Sequence, residues 1–165
     1  MDFKNPIWIT SNIDAKVFFV NFTRRFSEIM QNSRQGDEMT VFIDSNGGDT
    51  ETALGIYDLL KGCERFVVGL VSGRAESAAA IILQACSQRV MTKHSGLMIH
   101  KISITFNELS VVQAETGVHK YRRIDDRCFA IYRERTGRPM DPLFDEKYFT
   151  AEEALEAGLI DEIYG

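Results

Sequence analysis

Three short stretches carry residue types that could do chemistry together. "GRAESAAAIIL" puts Ser77 at the start of a small-residue helix, "SNGGD" holds Gly47 and Gly48 in a turn, and "GLMIH" ends in His100. A serine hydroxyl becomes a nucleophile when a histidine takes its proton. The attack then needs backbone N–H groups aimed where the carbonyl oxygen gains charge. A helix start offers such groups, because its first turn has no carbonyls behind it and its dipole favours negative charge. Each feature alone has a plainer use. On position alone the better reading of Ser77 is a helix cap, a Gly-Gly pair is most often a tight turn, and a histidine at a strand end is more often structural than a base. Their joint occurrence shifts the odds toward chemistry.

These residues need elements to position them, and the chain alternates strands and helices. "PIWIT" reads as a strand. "DAKVFFVNFTRRFSEIM" reads as a helix capped by Asp14, with an apolar stripe at Val17, Val20, Phe22, Phe26 and Ile29. "MTVFID" is a buried strand ending in "SNGGD", "TETALGIYDLLKG" a helix closed by Gly62, and "RFVVGLV" a strand leading into the loop "SGRAES". "QRVMT" and "GLMIH" are two further strands. A long helix spans residues 107–136, with Val111, Ala114, Val118, Tyr121, Cys128 and Tyr132 down one side. At about 1.5 Å per residue it reaches roughly 45 Å, longer than its sheet needs, so it protrudes. "TAEEALEAGLIDEI" closes the chain as a helix with a Thr150/Glu153 capping box, a stop at Gly158 and a short strand. The fold class is α/β with a largely parallel sheet. Ligands in such sheets sit at the carboxyl ends of strands, where "SNGGD", "SGRAES" and His100 could meet in one crevice.

Composition bounds the rest. The 165 residues, 44% hydrophobic, suit a single domain over 1–165 with one core. A formal charge of -5 with scattered basic residues gives no footprint for nucleic acid, and no apolar run is long enough for a bilayer. Cys63, Cys86 and Cys128 are odd in number and lack metal-ligand spacing, which fits buried thiols in a reducing compartment. "MDFKNPIWIT" holds no signal core, so the expected location is cytoplasmic.

From "PIWIT" to "LIDEI" the segments resemble, in order, the Clp protease proteolytic subunit family, the ClpP-like serine peptidases. "FIDSNGGDTETALGIYDLL" is similar to its strand-Gly-Gly-helix segment, "GRAESAAAIIL" to its nucleophile segment, "GLMIH" to its histidine strand and "YFTAEEALEAGLID" to its closing helix. The resemblance implies the ClpP/crotonase-like spiral of strand-helix units, with the long helix as the family's handle. It implies Ser77 as nucleophile, His100 as general base, and the N–H groups of Gly48 and Ala78 as oxyanion hole. It further implies peptide or unfolded-protein substrates, no cofactor or metal, and a homo-oligomer of stacked rings around a chamber. Crotonase-like enzymes, which bind acyl-CoA on the same spiral, are one alternative. A catalytically inactive structural ring subunit is another.

The chain departs from the family pattern at four places. Glu146 stands at the position matched to the triad acid, with Asp145 beside it, and otherwise both read as solvated charges before a helix. Asn46 replaces a proline ahead of the glycines. Glu76 precedes the serine in place of a small residue, where its charge would oppose an oxyanion or pair with Arg74. "HKISITFNELS" lacks the family's proline and glycines after the histidine. The chain also begins close to its first strand, without the family's axial N-terminal loops, so the resemblance carries no expectation of docking to an ATP-dependent unfoldase.

Overall fold

The computed structural model describes residues 3–14, 16–34, 36–103, 110–138 and 146–165. Among these residues are seven strands and five helices, alternating except where β5 follows β4: β1 (Pro6–Ile9), α1 (Val17–Asn32), β2 (Met39–Ser45), α2 (Thr50–Gly62), β3 (Val67–Glu76), α3 (Ala78–Ala85), β4 (Gln88–Thr92), β5 (Gly96–His100), α4 (Val111–Thr136), β6 (Glu146–Thr150), α5 (Ala151–Glu156) and β7 (Glu162–Tyr164). The sheet is the mostly parallel one that the alternation requires, in the order β1-β2-β3-β4-β7. Strand β2 is buried on both faces at six of its seven positions, as parallel strands under helices must be.

The sheet branches at β3, and this branch positions the site. Residues 68–71 of β3 pair with β4, whereas residues 74–76 pair with β5. Strand β6 then adds antiparallel to β5. "SGRAE" is therefore strand, not the loop its composition suggests. Gly73 makes the change of partner possible: at φ 149° a Cβ would lie 2.4 Å from Asp44 Oδ1. That carboxylate accepts the Arg74 N–H at 3.2 Å, so β3 stays fastened to β2 beyond the bend.

Helix packing departs from the expected pattern in α1. Asp14 does not cap it; the helix opens at Val17 behind Lys16, which is already in the right-handed region and makes no side-chain cap bond. Phe22 and Ile29 are buried and Phe18, Phe19 and Phe26 pack against the core, while Val17 and Val20 stay 65% and 62% exposed. The inward face is thus set by the phenylalanines. Phe19 lies 3.2 Å from where a Cβ on Gly55 would sit, which lets α1 approach α2 closely.

Helix α4 begins at Val111, capped by Ser110 and Gln113, and ends at the left-handed Gly137. Residues 107–109, which the expected helix included, lie outside the described residues. Its buried residues are Ile124, Cys128, Phe129 and Tyr132, all in the second half. Val111 and Val112 are 74% and 70% exposed. Helix α5 has the expected capping box, Thr150 with Glu153. Its end is tied down by Arg89, whose guanidinium donates to Asp161, Gln84 and the Gly158 carbonyl. Cys86 and Cys128 are buried thiols and Cys63 is half-buried. Among the described residues no helix is long and apolar enough to cross a membrane.

Candidate active site

Strand β3 ends at Glu76 and α3 begins at Ala78, leaving one residue for the turn. Ser77 takes it at φ 55°, ψ −120°, a conformation that L side chains rarely hold. Such backbone costs about 1–3 kcal/mol and persists where neighbours enforce it. Two neighbours do. The Ser77 N–H donates to the Met98 carbonyl on β5 at 2.8 Å, and Gly47 presses on the turn from the loop after β2. A Cβ on Gly47 would sit 2.5 Å from the Glu76 carbonyl oxygen and 2.8 Å from the Ala78 nitrogen. The side chain does not cap α3. Ser77 Oγ instead lies 2.6 Å from His100 Nε2. The cap, the better reading on position alone, gives way because the left-handed backbone turns the side chain toward β5.

The glycine loop is anchored against the segment before α1. Ile13 N–H donates to the Gly47 carbonyl at 2.8 Å, and Asp49 N–H to the Ile13 carbonyl at 2.7 Å. The Gly48 N–H between them takes no part in this bridge. Gly48 has φ 143°, and a Cβ there would come within 2.3 Å of the Ile13 carbonyl oxygen. Ala78 opens α3, so its N–H has no carbonyl one turn behind it within the helix. Ser45 Oγ accepts the Gly47 N–H at 3.1 Å and donates to the Ser11 carbonyl at 2.6 Å. Arg74 does not pair with Glu76. Its guanidinium donates to Asn46 Oδ1 at 3.1 Å and reaches Asp44 at 3.9 Å, because Asp44 holds the Arg74 backbone and brings the side chain over β2. Asn46 thereby gains a side-chain anchor that a proline would lack.

Glu146 lies on β6 directly opposite His100, and Tyr148 opposite Met98. Glu146 is thus an exposed strand residue, five positions before α5 begins. The Tyr148 phenol, two residues along the strand, is pushed above its ordinary value by the Glu146 carboxylate, first through hydrogen bonding and then through its charge, with a smaller push from Glu76. Among the described residues no carboxylate hydrogen-bonds with the His100 ring. Asp145 lies outside the described residues.

A cavity of about 120 Å³ opens beside Ser77, Gly48 and His100. Its apolar walls are Ile81, Cys128 and Tyr132, all buried. Burial pushes the Tyr132 phenol well up and the Cys128 thiol up to about 12, with the charge of Asp125 the second cause at Cys128. Asp125 lines the same cavity and accepts the Ile102 N–H at 3.0 Å. Sequence reasoning put Cys128 and Tyr132 on a packing stripe and passed over Asp125. The available signal was spacing, since residues three and seven positions apart share a helix face. A larger depression of about 890 Å³ lies where Lys120 meets Glu51, and its lining residues include no serine or cysteine.

The model of the Clp protease family matches residues 7–165. The chain is similar to ATP-dependent Clp protease proteolytic subunit 4 of Rhodococcus jostii strain RHA1, 31% identical over 144 residues, which cover 81% of this chain and 72% of that protein. It is also similar to the ATP-dependent Clp protease proteolytic subunits of Bacteroides fragilis strain ATCC 25285, 28% identical over 134 residues, and Porphyromonas gingivalis strain W83, 29% identical over 136. Each match covers 78% of this chain but only 64% and 60% of the respective relative, less than two thirds.

Proposed function

This chain belongs to the Clp protease family, and from that premise we propose that it is a serine endopeptidase acting on peptides or unfolded protein, with Ser77 as nucleophile and His100 as general base. The observation that carries the reading is the 2.6 Å approach of Ser77 Oγ to His100 Nε2 across a strained turn. With Nε2 unprotonated, the serine O–H donates to it. As Oγ adds to the substrate carbonyl carbon, Nε2 takes the proton. The oxyanion receives the N–H groups of Gly48 and Ala78, each such donor lowering the barrier by about 3–4 kcal/mol. His100 then protonates the leaving nitrogen, the C–N bond breaks, and an ester remains on Ser77. His100 next takes a proton from water, the resulting hydroxide attacks the ester, and the proton returns to Oγ as the acid leaves.

Glu146 is the residue we assign to orient His100, because it stands opposite it in the strand register. Substrate lies extended along the glycine segment, held by backbone hydrogen bonds. Exposed Val111 and Val112 suit burial against other copies, and we read the working form as stacked rings enclosing a chamber.

A second reading has one feature behind it: the Glu146 carboxylate acts on Tyr148, raising its phenol, and no carboxylate among the described residues hydrogen-bonds with the His100 ring. A site whose acid stays there would belong to an inactive ring subunit. A serine-reactive fluorophosphonate separates the two. Covalent labelling of wild-type protein at Ser77, lost in Ser77→Ala, supports the peptidase; absence of labelling overturns it.

A further inference from the structure

Resting on the serine-peptidase reading, the geometry points to a specificity the fold alone does not dictate: the cavity beside Ser77 takes a lysine side chain, and Asp125 receives its ammonium group. The cavity opens where Ser77, Gly48 and His100 converge, so the side chain preceding the cleaved bond enters it. Ile81, Cys128 and Tyr132 form apolar walls suited to a methylene stem.

Asp125 adds a carboxylate to a lining whose other polar side chains, Thr50, Ser103, Ser77 and His100, carry none. The one hydrogen bond it makes among the described residues is from the Ile102 N–H to Oδ1, and none of these residues bonds Oδ2. None of the ion pairs among the described residues includes Asp125. Its charge acts inside the cavity, since it is felt at the Cys128 thiol.

Charge and shape narrow the choice of side chain. The volume of about 120 Å³ is well above the about 10–15 Å³ that one water needs, so an extended lysine stem with its Cβ at the mouth can enter. Arginine carries a longer and planar head, and glutamate would meet like charge. A lysine ammonium facing Asp125 keeps a hydrogen-bonded partner as it leaves water, which an uncharged side chain would deny the carboxylate.

The decisive comparison is lysine against norleucine, which keeps the stem and loses the charge. Peptidyl diphenyl phosphonates differing only in that side chain, together with a fluorophosphonate that has none, are reacted with the full chain, and the rate of Ser77 labelling is measured. Wild type should react with the lysine probe at least about tenfold faster than with norleucine, equivalent to about 1.4 kcal/mol. Asp125→Asn keeps an acceptor for Ile102 N–H and loses the charge, and should bring that ratio close to one. Norleucine reacting as fast as lysine, while the fluorophosphonate still labels Ser77, overturns the lysine pocket and leaves the peptidase standing. A lysine preference unchanged in Asp125→Asn overturns the role of Asp125. If that variant does not fold, the wild-type ratio decides alone. Failure of all three probes overturns the peptidase reading, and the pocket assignment falls with it.

Discussion

Glu146 stands directly across the β5–β6 pair from His100, and its carboxylate also acts on Tyr148, two residues along its own strand, where it raises the phenol. One carboxylate thus has two candidate partners, the phenol and the imidazole. Glu146→Gln removes the charge that would stabilise imidazolium and fix its tautomer, and should lower kcat by orders of magnitude with little change in KM. Tyr148→Phe removes the competing donor and should raise kcat. Asp145→Asn should be nearly silent. Peptide hydrolysis by the three variants checks this: an exchange of the two carboxylate outcomes would make Asp145 the partner, and near wild-type turnover in both would leave a serine-histidine dyad.

The backbone at Ser77 supports a separate test. Its φ of 55° suits glycine, so Ser77→Gly should stabilise the fold by about 1 kcal/mol while removing the nucleophile. For a chain of this length that is a rise in Tm of about 2–4 °C. Ser77→Ala keeps the strain and should leave Tm close to wild type. A lower Tm in Ser77→Gly would mean that the hydroxyl contributes more to folding than its lone bond to His100 provides.

Gly47→Ala should be far more damaging than its size suggests. The new Cβ meets the Glu76 carbonyl at 2.5 Å, in a backbone region of φ 89°. Either the glycine loop or the serine turn must move, and both carry atoms of the proposed site. The expected result is a loss of more than about 1 kcal/mol in denaturant unfolding, together with loss of fluorophosphonate labelling.

Much of the fold was legible because local and tertiary signals agree. "MTVFID" is apolar and followed by turn residues, "TETALGIYDLLKG" runs from an Asp49 cap to its last residue at Gly62, and Thr150 with Glu153 marks α5. Strand β6 was not legible: "EKYFT" begins with two charges and becomes a strand by pairing with β5. "SGRAE" was misread for a similar reason, since the acidic partner under Gly73 lies on β2, 29 or 30 residues upstream of the segment it fastens. At the site, residue types signalled Ser77, His100 and the glycines. Asp125 was hidden because a charge on a mostly polar helix reads as solvated until the cavity against that face is seen.

The Arg89–Asp161 pair predicts an acid-dependent stability. Burial alone would raise the Asp161 carboxyl, but hydrogen bonds from the Arg89 side chain and backbone, with its charge, hold it below its ordinary value. A carboxyl depressed in the folded state adds stability above its unfolded pKa of about 3.9, and that stability is lost as pH falls through the folded value. Arg89 is 5% exposed, so Asp161→Asn leaves a buried guanidinium with a weaker partner. The cost should be about 2 kcal/mol at pH 7, below the usual range for fully buried pairs because the Asp161 side chain is 38% exposed. Thermal melts of both proteins between pH 7 and pH 3 should show the gap closing toward the acid end.

The first half of α4 makes the assembly testable apart from the chemistry. None of residues 111–123 is buried, and Val111 and Val112 together present a branched apolar surface to solvent. In a ring-forming member of this family such a surface would be covered by another copy, and charge there would oppose that contact without touching the core of its own subunit. Val111→Glu with Val112→Glu should therefore leave the Tm of the subunit nearly unchanged while lowering the mass seen by light scattering at micromolar concentration. Glutamates in the first turn also favour the helix N-terminus, so loss of the helix would not explain the lower mass. If the wild-type chain itself scatters as a monomer, the ring assembly is refuted; if the double variant keeps the full wild-type mass, the contact lies elsewhere on the chain.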